Sequence, residues 1–167
     1  MERSLSSALA RFDGKAIPLL GQIEAEFGND PGYLAALVEI IPSDQPHLES
    51  GATWLIKDRL ERGEKLSEAR TEQLAAAAPA LTDWQAQLHL AQMVRYLIPS
   101  LPAARILAVE MIELSGHTRP FLRAWSLDAL VHLSTLFPEF AGPAQDALAT
   151  AKTDKAASVR ARARHLS

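Results

Sequence analysis

The chain has 167 residues, of which 48% are hydrophobic and 22% charged, and a formal net charge of −3. That length suits one domain with a core of its own, and so mild a charge gives no reason by itself to invoke a nucleic-acid partner. Cysteine is absent, which excludes disulfides and cysteine-held zinc or iron–sulfur centres and fits a reducing, cytoplasmic setting.

Alanine and leucine dominate, β-branched residues are sparse, and no long stretch alternates with period two. These are good helix formers, so the expected class is all-α, in a single domain over 1–167. The opening stretch "MERSLSSALARFDGKAIPLL" has no continuous apolar run, unlike a secretory leader. No stretch reaches the roughly 18 apolar residues of a membrane span.

In chain order, helices are expected near 4–12, 15–27, 32–41, 46–62, 67–78, 83–98, 103–115, 119–136, 139–152 and 156–166. Prolines at 31, 42, 46, 79, 99, 102, 120 and 138 fall between these segments, because proline suits a helix start and resists a helix interior. Pro18 and Pro143 fit first turns. Ser67, with Glu68, and Asp83 stand where N-caps and first-turn acids belong. Gly28, Gly63 and Gly116 stand at helix ends.

Two helices invite opposite expectations. Over 119–136, Leu122, Trp125, Ala129, Leu133 and Leu136 step by three and four, which puts them on one apolar face; Arg123, Asp128 and His132 point elsewhere. Over 103–115 only Arg105, Glu110 and Glu113 interrupt the apolar run, so that helix should be covered on more than one side.

Charge is uneven. Residues 1–116 carry ten Lys/Arg against sixteen Asp/Glu; residues 117–167 carry seven against four. The terminal stretch "KAASVRARARHLS" is part of that basic third. It also ends a repeat. "TDWQAQLHLAQMVRYL" (82–97) aligns with "TRPFLRAWSLDALVHL" (118–133) at an offset of 36, pairing Leu88 with Ala124, Ala91 with Leu127, Val94 with Leu130 and Leu97 with Leu133. "SVRARARHL" (158–166) follows at an offset of 37, with Val159-Arg160 beneath Leu122-Arg123. A helical pair recurring at this period is the mark of an α-solenoid.

Leu122-Arg123 early in a helix, Asp154 near the turn, and Val159-Arg160 opening the next unit resemble HEAT repeats, clearest over 82–166. The resemblance implies an α-solenoid of about four stacked antiparallel helix pairs, of a kind that often acts as a scaffold for other proteins and in a few members binds nucleic acid or carries an enzymatic site. It implies no cofactor here: iron-dependent hydroxylases of this build rely on His-Glu pairs, and no histidine in this chain precedes glutamate.

Nucleotide-binding and nucleophile-elbow motifs are absent, as is H-E-x-x-H. Glu110 and Glu113 share a helix face but lack a histidine partner, so a solvated stripe is expected. Trp125 and Asp128 resemble the aromatic-plus-carboxylate sites of HEAT-like DNA glycosylases, although a core tryptophan suits the apolar face better. His89, between Leu88 and Leu90, suits an inter-helix hydrogen bond. The terminal arginines are expected to solvate the last, uncovered unit.

The expected function is thus a non-enzymatic scaffold holding a protein or peptide. The competing expectation is polyanion or nucleic-acid binding through Arg119, Arg123, Lys152, Lys155, Arg160, Arg162 and Arg164.

Overall fold

The computed structural model describes residues 4–167, and every regular element among them is helical. In chain order these are α1 (Leu5–Leu9), α2 (Ile17–Phe27), α3 (Tyr33–Ile40), α4 (Pro46–Glu61), α5 (Glu68–Ala77), α6 (Trp84–Met93), α7 (Leu101–Leu114), α8 (Pro120–Leu136), α9 (Ala141–Ala151) and α10 (Ala157–Leu166). Short 3-10 turns cover Ala78–Ala80, Val94–Tyr96 and Pro138–Phe140. All ten expected helices are present. The first is shorter than expected, and those near 83 and 139 each give up a few residues to a tighter turn.

Local chemistry sets the boundaries. Ser67 accepts from the Arg70 amide, Asp83 from the Gln85 and Ala86 amides, and Ser100 from the Ala103 amide, each satisfying amides left over in a first turn. Gly63 takes a φ of +98° just after α4, a conformation open to residues without a Cβ. At Gly51 a Cβ would stand 2.9 Å from Leu9 Cδ2 and 3.2 Å from Phe12. Its absence lets α1 lie close against α4.

Alternate helices stack. α4 packs on α6, α6 on α8 and α8 on α10; α3 packs on α5 and α5 on α7. α8 touches helices on several sides, with α7 and α9 also against it. Burial on the two central helices departs from the expected faces in part. On α8, Leu122, Ala129 and Leu133 are buried as expected, but so are Ala124, Leu127, Leu130 and Asp128, the last only 4% exposed. Leu136 is instead 37% exposed, and Trp125 is only half-buried. α7 is covered on more than one side as expected, by α8 and α5, yet one strip stays open: Ile106, Val109 and Ile112 are 36%, 63% and 45% exposed. Hydrophobicity alone could not decide this, because a middle helix tolerates polar residues wherever a neighbour supplies their partner.

Polar ties share a common reach. Among the described residues, the side-chain hydrogen bonds that tie one helix region to another mostly span 28 to 38 residues. Glu49, 2% exposed on α4, accepts from the Thr82 and Asp83 amides ahead of α6. Thr53 Oγ1 lies 3.0 Å from His89 Nδ1, the inter-helix bond expected of that histidine. Arg59 reaches back to Glu24 at 2.6 Å and to the Gly28 carbonyl.

Candidate functional site

The basic residues of the last third are mostly engaged within the protein. Arg123 forms a two-pronged pair with Asp154, both bonds at 2.9 Å, and its remaining nitrogen donates to the carbonyls of His117 and Thr118. The guanidinium beside it holds the Asp154 carboxyl below its ordinary range. Arg160 donates to the Asp154 carbonyl at 2.7 Å. Arg162 lies 4.2 Å from the centre of the Trp125 ring, with Nη1 3.4 Å from Asp128 Oδ2. Arg119 lies 3.8 Å from the centre of the Trp84 ring. Lys152, Lys155 and Arg164 are exposed. The seven residues do not form one bank of open cations, and the expectation that Arg160 and Arg162 merely face water is corrected: both are half-buried and bonded.

Trp125 and Asp128 do act as an aromatic face plus a carboxylate, a pairing that holds cations. Its occupant is Arg162, 37 positions after Trp125. Tyr33 with Glu24 repeats the arrangement around Arg59, whose guanidinium stands 5.0 Å from the ring centre. Burial and the neighbouring Glu24 push the Tyr33 hydroxyl far above its ordinary value. The sequence carried a signal for these clamps, because Trp84 to Arg119 and Trp125 to Arg162 are 35 and 37 positions apart.

A different feature lies beside α7. No close packing joins α7 to α9; an Arg105–Glu139 ion pair at 3.1 Å ties their N-terminal ends. A groove of about 470 Å³ opens between them. Its apolar lining comes from Ile112 of α7, Leu127 of α8, Pro143 and Ala147 of α9, and Val159 of α10. Gly116 lines this groove and also a second hollow of about 570 Å³, bordered by Trp84, Gln87, Glu110, Glu113 and His117. The two adjoin at Gly116 and are together termed the trough, the first mainly apolar and the second more polar. Burial first, and then the charge of Glu113, raise the Glu110 carboxyl above its ordinary value. Neither carboxylate pairs with a described cation. The stripe is solvent-accessible as expected, Glu113 being exposed and Glu110 half-buried, and it also borders the second hollow.

Sequence reading missed the exposed strip Ile106–Val109–Ile112, since a run of apolar residues on a helix reads equally as all-round burial. Among the described residues no cluster of metal-ligating side chains occurs, and no helix is long and apolar enough to cross a membrane. The chain matches no family model, no curated protein and no solved structure.

Proposed function

We propose that the chain is a HEAT-like α-solenoid of about four helix pairs that serves as a protein-binding scaffold and receives a peptide segment of its partner on the α7–α9 side. The stacking of alternate helices supports the solenoid reading. So does the one-period reach of the polar ties, which agrees with the sequence offsets of 36 and 37. Arg123, Asp154 and Arg160, the polar residues that carry the resemblance, meet in one bonded cluster.

The observation that carries the functional reading is the exposure of Ile106, Val109 and Ile112 beside an open groove. A contiguous apolar strip next to a concavity is costly to leave in water and marks contact surfaces. The polyanion reading draws less support, because Arg119, Arg123, Arg160 and Arg162 already hold internal partners.

A photo-crosslinking residue placed at Val109 tests the scaffold reading in the source cell. It should yield discrete adducts with another protein, while the same group at exposed Lys65, in the α4–α5 loop, should not. Equal yields from both positions, or none from Val109, would refute the assignment.

A further inference from the structure

From the chemistry of the trough, we infer that the segment it accepts is a basic amphipathic peptide: apolar side chains against the α7–α9 groove, and lysine or arginine toward the Glu110–Glu113 end. This rests on the scaffold reading and adds the partner's charge to it.

The apolar end has a specific shape. Leu127 and Val159 are each about 1% exposed and form a firm floor, while Ile112 and Ala147 stand on opposite walls. Val109 and Ile106 continue the apolar surface outward along α7 at helical spacing. A ligand must offer spaced apolar groups to cover both floor and strip, as an amphipathic segment does.

The charge is one-sided. Four carboxylates line the trough: Glu110, Glu113, Asp146 and Asp154. The only Lys or Arg in the lining is Arg123, and Asp154 already neutralises it. Arg119 approaches the polar end but lies on the Trp84 ring, and even with it counted the trough stays net acidic. Glu110 and Glu113 both line the polar end, where burial and the charge of Glu113 disfavour ionisation of Glu110, with no described cation paired to either. A cationic side chain brought there relieves that repulsion, and an acidic one adds to it, which is how charged rims select partners. Gly116 at the junction has no side chain, and a Cβ there would meet only the Glu113 carbonyl, at 3.6 Å. The trough is acidic although the final third of the sequence is basic, because Arg123, Arg160 and Arg162 are bonded within the protein.

The test is selection of random short peptides by display against the immobilised full-length chain, with the best binder resynthesised for fluorescence anisotropy. The expected pool is net positive with spaced apolar residues. Glu113→Lys combined with Asp146→Lys should weaken the binder about tenfold or more, and should improve binding of a copy whose lysines are replaced by glutamate. Ile112→Asp should abolish binding of both. The three positions are exposed, and circular dichroism with the unfolding midpoint verifies that each variant folds; Glu113→Gln with Asp146→Asn serves if the lysine pair does not. A neutral or acidic pool, or indifference to charge reversal, overturns the inference, and the scaffold reading survives that outcome if Ile112→Asp still abolishes binding. No enrichment above the bare support overturns both.

Discussion

Replacing Arg162 by glutamine measures what the aromatic clamps contribute. Asp128 is 4% exposed, and the Arg162 side chain is about a quarter exposed, with 3.4 Å between their charged atoms. Breaking a fully buried pair costs about 3–5 kcal/mol, whereas an exposed pair contributes less than about 1 kcal/mol. One buried partner, one half-covered partner and a long bond put this case between those limits. Loss of the guanidinium from the Trp125 face adds about 0.5–1 kcal/mol. The expected destabilisation is about 1.5–3 kcal/mol, read from urea unfolding followed by circular dichroism. For a chain of this size that lowers the melting temperature by roughly 3–12 °C. Arg164→Gln, at an exposed position on the same helix, is the internal control and should stay within about 0.5 kcal/mol. Asp128→Asn in the Arg162→Gln background should recover part of the loss, since the stranded carboxylate is then gone. Should Arg162→Gln prove no worse than Arg164→Gln, the clamp is not a stabilising joint, and the terminal arginines revert to simple solvation.

Leu133→Ala, at a side chain with no exposure, should cost about 2–5 kcal/mol in the same assay; a change below about 0.5 kcal/mol would show that α8 has been phased wrongly. Asp154→Asn should lose about 1–3 kcal/mol, because Arg123 is left with carbonyl partners only; an unchanged unfolding midpoint would argue against that joint. Acidification tests His89, whose imidazole is lowered by burial and by the charge of Lys57 from 6.5 to about 4. Between those values the unfolded chain takes up a proton that the folded protein resists, so stability falls as pH drops from about 6.5 toward 4, by up to about 1.4 kcal/mol per unit. His89→Gln should flatten that stretch of the curve relative to the unchanged protein; superimposable slopes would refute it.

The helices were legible because proline punctuation and N-cap chemistry act within a few residues. Ser67 and Asp83 cap the helices they precede, and Pro18 and Pro143 sit in or near first turns. The buried Leu122, Ala129 and Leu133 followed from their spacing. The burial of Asp128 did not, because its partner lies 34 positions away, beyond any local pattern. The exposure of α7 was hidden for a related reason: it depends on the gap to α9, a matter of packing between elements. The carboxylates Glu110 and Glu113 were recognised as a pair, but only the fold sets them in the wall of a hollow shared with Trp84 and Gly116. The basic third misled, since counting charges cannot tell an arginine facing water from one closing a joint.

Among the described residues, the side-chain hydrogen bonds between distant positions span about 28 to 38 residues, so none of them joins the first helices to the last. Under pulling force, or in slow amide exchange, α10 should peel first, once the grips of Asp128 and Trp125 on Arg162 and the small cluster around Val159 release. α4 and α6 stay closed meanwhile, around Glu49 and Thr53. On the proposed solenoid reading, such a chain loosens from its rim in whole steps, and whole steps of sequence could be added to it or removed without calling for a new kind of joint.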